Sequence, residues 1–181
     1  MDEAVRRGVP DYQAAALATV EPTTGRPSVR TVYVHRLGDT LGLFVNSRTG
    51  KGRQLEWNPH AGLCFFWRSL QTQVVIDGTV ELLDEASADH LWSRRSRECS
   101  LVASASHPER VTAGSVTLPE RISQRRHRYD FQPVPRPLYW VAYRLIPIRM
   151  EFWATGWQRA RLRRLFERAP DGGWQHVLRE P

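Results

Sequence analysis

Residues 14–45 read AAALATVEPTTGRPSVRTVYVHRLGDTLGLFV, and this stretch decides the fold class. Three runs of β-branched, aromatic and small apolar residues, at 14–20, 29–35 and 41–45, are typical of strands. Proline, threonine, glycine and aspartate occupy the short segments between them, as expected of turns. Because short connections join antiparallel neighbours, the stretch predicts an antiparallel meander.

The rest of the sequence predicts further strands with a few short helices between them. Strands are expected at residues 61–68, 73–82, 138–148 and 150–154, which makes about seven in all, and residues 174–178 are a candidate for a last strand. Helices are expected near Thr49, over 84–97 with Asp84 as the N-cap, and over 118–129. Residues 98–117 are small and polar and are expected to form a loop, and the Arg-rich stretch before residue 174 a hairpin. Gly78 marks a bulge or a sharp bend.

This order of elements predicts a mainly β (α+β) fold. Many strands with few crossover helices favour an antiparallel split β-barrel with Greek-key order and short flanking helices. No repeat or change of composition divides the chain, so we expect one domain over residues 1–181. Residues 1–12 are polar and are expected to form a short helix or a flexible N-terminal arm.

Composition limits the class of protein. The chain has 181 residues, is 41% hydrophobic and 25% charged, and holds no apolar run long enough for a bilayer. Two cysteines are too few for a disulfide scaffold, and the first residues lack a secretory signal, so we predict a cytoplasmic protein without a membrane partner.

The net charge of +7 comes from arginine, since Lys51 is the single lysine. Arginine enrichment is typical of a GC-rich genome, and it also suits the binding of phosphate or carboxylate groups. A basic chain can bind nucleic acid without specificity, but no strand interleaves exposed aromatic and basic residues, so we do not predict a nucleic-acid partner.

The common catalytic and nucleotide-binding motifs are missing from the sequence. It contains no G-x-G-x-x-G, P-loop, G-x-S-x-G, H-E-x-x-H or C-x-x-C. Its six histidines are scattered without metal-ligand spacing, so no metal site is predicted. Whatever chemistry the protein carries out is therefore expected to come from a bound cofactor.

Three stretches stand out by their order and spacing: GRPSVRTVYVH at 25–35, NSRTGKGRQLEWNP at 46–59, and IRMEFWATG at 148–156 with RLRRLFER at 161–168. Together they resemble the pyridoxamine 5′-phosphate oxidase family, including its phenazine-biosynthesis branch. The resemblance extends from about residue 14 to the C-terminus. It implies an FMN-binding split barrel that works as a homodimer, with FMN in the cleft between the subunits.

The resemblance also implies which residues contact FMN. Arg30 and Lys51 fall where the family binds the phosphate, while Gly50 replaces a basic residue. Gln73 matches a residue that binds the flavin ring, and Trp153 an aromatic residue of the other subunit. The implied set is Arg30, Thr31, Val32, Tyr33, Val34, Phe44, Val45, Gly50, Lys51, Gln73, Trp153 and Arg163.

Physical chemistry independently favours a phosphate site at Lys51. A phosphate dianion needs cationic donors and free backbone N–H groups, which Arg30, Lys51 and the N-terminus of the helix near Thr49 can supply. A solvated lysine at a helix start is the alternative. Likewise, Gln73 can simply be exposed, and Trp153 can serve core or dimer contacts.

This sequence departs from the family's pattern at more positions of the substrate pocket than of the FMN site. By resemblance, the substrate contacts are His35, Arg95, Cys99, Arg161 and Arg163. His35 stands in place of a lysine, Cys99 in place of a serine and Arg163 in place of a histidine. The loss of phosphate donors makes FMN binding a firmer prediction than the family's substrate.

The leading hypothesis is an FMN-dependent oxidase that resembles pyridoxine/pyridoxamine 5′-phosphate oxidase. The resemblance implies hydride transfer from the substrate to flavin N5, with O2 as the reoxidant. Two alternatives remain open: a related flavin oxidase of secondary metabolism acting on a carboxylated aromatic substrate, and a non-catalytic flavin- or haem-binding carrier or sensor.

Overall fold

The structure is a computed structural model that describes residues 1–106, 116–155 and 161–179. Within these ranges the side chains of residues 155, 161, 162 and 177–179 are not described. The strands are β1 Ala14–Val20, β2 Pro27–Leu37, β3 Thr40–Asn46, β4 His60–Trp67, β5 Thr72–Leu82, β6 Trp140–Thr155, β7 Arg161–Arg168 and β8 Trp174–Arg179. The helices are α1 Asp2–Arg6, α2 Gly50–Trp57, α3 Glu85–Ser93, α4 Arg97–Ala105 and α5 Leu118–Arg128, and a short 3-10 turn lies at Arg68–Leu70.

The strands form one antiparallel sheet that closes into a six-strand barrel. The order is β3-β2-β1-β4-β5-β6, and β6 returns to pair with β3. After the β1–β2–β3 meander the chain crosses through α2 to place β4 beside β1, which is the Greek-key order. The predicted mainly β, antiparallel split-barrel fold is therefore confirmed.

The barrel is split along β6. Residues 140–145 of β6 pair with β3, and residues 149–155 pair with β7 instead. β5 follows β6 on its other edge over almost the whole length. The second half of β6 therefore leaves the barrel and carries β7 and β8 outward as an extension of the sheet.

Alternation along the strands separates the barrel core from its outer surface. Side chains of one parity point inward and are almost fully buried, among them Leu17, Val34, Leu43, Leu63 and Phe65. A second apolar cluster lies outside the barrel, where α3 and α4 cover β3 and β6. Phe44, Trp92 and Ala142 belong to this cluster.

Gly78 forms the predicted bulge. The register between β5 and β6 shifts between Asp77 and Gly78, where Gly78 faces Pro147. A Cβ atom at Gly78 would lie 2.2 Å from the carbonyl oxygen of Ile146, so only glycine fits. This bend lets one strand, β6, span both the barrel and its extension.

Three sequence predictions of local structure are wrong. Residues 98–117 were expected as a loop, but residues 97–105 form α4, capped by the Ser96 hydroxyl, which accepts from the Cys99 N–H. The helix expected over 84–97 ends at Ser93 because this second cap starts a new helix. The runs at 138–148 and 150–154 form one strand. The hairpin expected in the Arg-rich stretch is present, because β7 and β8 pair antiparallel.

No helix in the described ranges is both long enough and apolar enough to cross a lipid bilayer.

Candidate functional site

Arg30 lies at one end of the barrel, beneath α2, among neutral acceptors. Its guanidinium donates to the Leu17 carbonyl at 3.2 Å, the Thr19 hydroxyl at 2.5 Å, the Ser28 hydroxyl at 2.6 Å and the Gln54 Oε1 at 3.0 Å. Burial lowers the pKa of the guanidinium, and none of its hydrogen-bond acceptors is an acid. Its positive charge is therefore held in place without a counter-ion among the described residues.

Lys51 lies in the first turn of α2, close to Arg30. Burial, followed by the positive charge of Arg30, lowers the pKa of its ammonium group. Thr49 caps the helix by accepting from the Gly52 N–H at 3.2 Å. A Cβ atom at Gly52 would come within 2.6 Å of the backbone of Asn46 and Ser47, so glycine lets α2 sit directly on the end of β3.

The predicted flavin-lining residues of β2 and β3 divide between two faces. The side chains of Val32, Val34 and Val45 are buried in the barrel core, so only their main-chain atoms can face a ligand outside. Thr31 and Tyr33 point outward and are exposed. Phe44, in contrast, lies in the outer cluster beneath α3.

A cavity of about 460 Å³ opens on the outer side of β2 against α3 and α4. It contains three of the predicted substrate residues, His35, Arg95 and Cys99. The whole lining is Tyr12, Gln13, Tyr33, His35, Arg36, Leu91, Arg94, Arg95, Ser96 and Cys99. No carboxylate lies among these residues, so the cavity suits an anionic ligand.

Arg95 is held in an aromatic cage beside this cavity. The guanidinium carbon lies 5.5 Å from the Phe44 ring centroid, 5.2 Å from Trp92 and 5.4 Å from Trp140. The two indole N–H groups donate to the carbonyls of Val134 and Ala103, which fixes both rings. Among the described residues, the Arg95 Nε is the one buried side-chain nitrogen or oxygen without a hydrogen-bond partner.

His35 lines the same cavity and contacts the edge of the Phe44 ring, with 6.1 Å between ring centroids. Burial, and then the positive charges of Arg95 and Arg94, lower the pKa of its imidazole. The neutral ring is therefore favoured in the free protein, and an anion in the cavity would favour the imidazolium.

The depressed pKa of His35 predicts a pH dependence of stability. Between the folded pKa and the unfolded value of 6.5, the folded protein binds fewer protons than the unfolded chain. The free energy of unfolding therefore falls as the pH falls through this window. We expect His35→Gln to lose less stability than the wild type between about pH 7.5 and about pH 5.5, measured by urea denaturation. His60→Gln, at an exposed site, is the control, and an equal loss in His35→Gln and the wild type would contradict the assignment.

Gln73, Trp153 and Arg163 are neighbours across β5, β6 and β7. Gln73 pairs with Trp153, and Trp153 pairs with Arg163. The Arg163 guanidinium lies 5.0 Å from the Trp153 ring centroid, and its Nε donates at 2.5 Å to the buried carboxylate of Glu151. The hydrogen bond from Arg163 lowers the pKa of the Glu151 carboxyl group, although burial opposes this shift.

The predicted site residues therefore form three groups in the single chain: Arg30 with Lys51, the cavity of His35, Arg95 and Cys99, and the row of Gln73, Trp153 and Arg163. Tyr33 on β2 and Trp153 on the outer half of β6 lie on strands that do not pair with each other. Gly50 is exposed at the start of α2. The side chain of Arg161 lies outside the described residues.

Several residues of these groups were missed by sequence reasoning. Tyr12, Gln13 and Arg94 line the cavity, and Thr19 and Gln54 hold Arg30. One signal was available for Gln54, which is a polar residue one position before the apolar Leu55 on a short helix.

A six-strand barrel whose last strand leaves β3 for an outer extension defines the class of split-barrel proteins. The family model described as pyridoxamine 5′-phosphate oxidase matches residues 1–121. A second, described as the pyridoxine 5′-phosphate oxidase C-terminal dimerisation region, matches residues 140–181. The chain belongs to the pyridoxamine 5′-phosphate oxidase family, a family of FMN-dependent oxidases, and the predicted family and enzyme class are confirmed.

Named relatives agree with this assignment. The chain is 39% identical to pyridoxine/pyridoxamine 5′-phosphate oxidase 1 of Ralstonia nicotianae, over 98% of this chain and 83% of that protein. It is 38% identical to pyridoxine/pyridoxamine 5′-phosphate oxidase of Alkalilimnicola ehrlichii, over 96% of this chain and 88% of that protein.

Among solved structures, PhzG from Burkholderia lata, in complex with tetrahydrophenazine-1-carboxylic acid, is similar with a TM-score of 0.89. It is 30% identical over 99% of this chain and 88% of that chain. A pyridoxamine 5′-phosphate oxidase-related, FMN-binding protein from Nostoc punctiforme has the same fold, with a TM-score of 0.79 at 20% identity, over 99% of this chain and 95% of that chain.

Proposed function

We propose that this protein binds FMN and oxidises a small substrate that carries an anionic group, with pyridoxine or pyridoxamine 5′-phosphate as the first candidate. The observation that carries the proposal is the presence of two separate cationic sites without carboxylate partners, one at Arg30 and Lys51 and one at Arg95. One suits the phosphate of a cofactor and the other the anionic group of a substrate.

The barrel-end site fits the FMN phosphate. Arg30 and Lys51 bring two positive charges together in a half-buried place, and the repulsion between them is relieved by a dianion. The first turn of α2 adds backbone N–H groups beside Lys51 and Gly50. From there the flavin ring would extend along the outer face of β2, past Thr31 and Tyr33, with the main chain of Val32, Val34 and Val45 and the ring of Phe44 behind it.

FMN, when bound, supplies the two-electron redox chemistry, and the protein supplies binding and orientation. In this proposal His35, Arg95 and Cys99 hold the substrate beside the flavin, because they line the cavity next to Tyr33. His35 would gain a proton as the anion enters and would add its positive charge to those of the arginines that line the cavity. Arg161 and Arg163 remain proposed contacts from the C-terminal strands.

A homodimer completes this arrangement. Gln73, Trp153 and Arg163 lie strands away from Tyr33, and the C-terminal region matches a dimerisation region. Val29, Tyr33 and Phe66 project from the outer face of the barrel with exposures of 65%, 57% and 63%, which is an apolar surface that a second subunit would cover. We therefore propose that Trp153 and Arg163 of the partner subunit close the flavin cleft.

A carboxylated aromatic compound is the second candidate substrate. The similarity to PhzG, solved with a phenazine carboxylic acid, favours it. The cavity also supports it, because Leu91 gives an apolar wall, and arginine binds carboxylate and phosphate in the same bidentate geometry.

Oxygen uptake by the purified protein tests the proposed function. We expect a yellow protein with a flavin spectrum that consumes O2 and forms hydrogen peroxide with pyridoxine or pyridoxamine 5′-phosphate, but not with unphosphorylated pyridoxine. Turnover of a carboxylated aromatic compound alone would select the second candidate. A flavin-loaded protein that oxidises neither substrate would support the carrier or sensor alternative, and a colourless protein that binds no flavin would refute the proposal.

A further inference from the structure

We propose that Gln54 keeps Arg30 in place as an uncompensated cation, and thereby sets the preference of the barrel-end site for a phosphate dianion. This inference rests on the proposed FMN site and assigns a positioning residue to it. Gln54 lies on α2, is 7% exposed, and faces β1 and β2 at the end of the barrel.

The side-chain amide of Gln54 links three elements. Its Oε1 accepts from the Arg30 guanidinium at 3.0 Å and from the Thr19 hydroxyl at 2.6 Å. Its Nε2 donates at 3.0 Å to the carboxylate of Glu21, just beyond the end of β1. The amide therefore lies between Arg30 and Glu21. It makes a hydrogen bond to each of them, so the two charged groups need not form an ion pair with each other.

Two other well-anchored arginines of this chain, Arg136 and Arg149, are neutralised directly by acids. Arg136, whose side chain is only 3% exposed, forms ion pairs with both Glu85 and Asp89. Arg149 pairs with Asp77 at 2.8 Å. Arg30 is also held by several hydrogen bonds, but every acceptor is a hydroxyl, a carbonyl or the Gln54 amide.

This difference has a consequence for the charge of the site. A carboxylate at position 54 would make the same contacts with Arg30 and Thr19, but it would neutralise the cation and repel a phosphate. An apolar residue would leave the buried Thr19 hydroxyl and one Arg30 donor without their acceptor. Of these three kinds of side chain at position 54, only the amide both accepts a hydrogen bond from Arg30 and leaves its positive charge uncompensated.

Flavin binding to the apoprotein tests the role of Gln54, because FMN and riboflavin differ only in the phosphate. We expect Gln54→Glu to weaken FMN binding by about tenfold or more, which is the loss of one charge-assisted interaction. Riboflavin affinity should change less than about twofold, since it depends on contacts away from Arg30. The readout is the quenching of flavin fluorescence on titration.

Gln71→Glu adds the same charge at an exposed turn, and we expect it to leave both affinities unchanged. If Gln54→Glu keeps the wild-type ratio of FMN to riboflavin affinity, the inference is wrong. Equal losses for both flavins would mean a purely structural role and would also overturn it. If the wild-type protein binds neither flavin, the proposed function itself fails.

Discussion

Removing both charges of the barrel-end site, as in Arg30→Gln with Lys51→Gln, should weaken FMN binding by about 10²–10⁴-fold. Each charge-assisted hydrogen bond or equivalent contact contributes about 1.5–3 kcal/mol, and two are lost. Glutamine keeps a polar side chain that can still donate to Thr19 and Ser28, so the barrel end should remain folded. Equilibrium titration of the apoprotein with FMN measures the effect.

Arg26→Ala is the matched control, because it removes a positive charge from the exposed β1–β2 turn. We expect it to leave FMN affinity within about twofold of the wild type, because salt screens the effect of an exposed, distant charge on the bound phosphate. A double variant that still purifies with stoichiometric FMN would show that the phosphate binds elsewhere.

The second large effect is expected at the aromatic cage. Arg95→Met should weaken the binding of a phosphorylated or carboxylated substrate by about 10²-fold, because the bidentate hydrogen bonds that we propose between the guanidinium and the anion are lost. FMN affinity should not change. The free energy of unfolding should stay the same or rise, since a desolvated cation without a counter-ion is replaced by an apolar side chain among Phe44, Trp92 and Trp140.

Calorimetric titration with pyridoxal 5′-phosphate or with inorganic phosphate, together with urea denaturation, measures both parts of this prediction. Arg128→Met, at the exposed end of α5 and outside the cavity, is the control. An Arg95→Met protein that binds the anion as tightly as the wild type would remove Arg95 from the substrate site.

The fold could be predicted because short local sequence patterns identify most of its strands. Alternation in 29–35 and the turn residues around it identify β2, and Gly78 predicts the bulge opposite Pro147. The same alternation also determines that Val32 and Val34 point into the barrel. Both residues were predicted as FMN contacts without regard to this inward orientation of their side chains. α4 could not be found this way, since its serines and alanines carry a weak periodic signal and its burial depends on contacts with β6 and α5.

The candidate site could be predicted only in part, for a related reason. The stretches that resemble the family identify Arg30 and Lys51, and the resemblance outside those stretches identifies Arg95. The contacts that hold these cations without an acidic partner join distant parts of the chain. Gln54 bonds to Thr19, 35 positions away, and Trp140 lies far from Arg95 in sequence. Such long-range contacts appear only in the folded structure.

The central claim is that Arg30 and Lys51 together bind the phosphate of FMN, and an experimental structure of the FMN complex tests it most directly. We expect the phosphate oxygens within about 3 Å of the Lys51 Nζ and of the N–H groups in the first turn of α2, with the Arg30 guanidinium beside them. A flavin phosphate bound away from both cations would contradict this account.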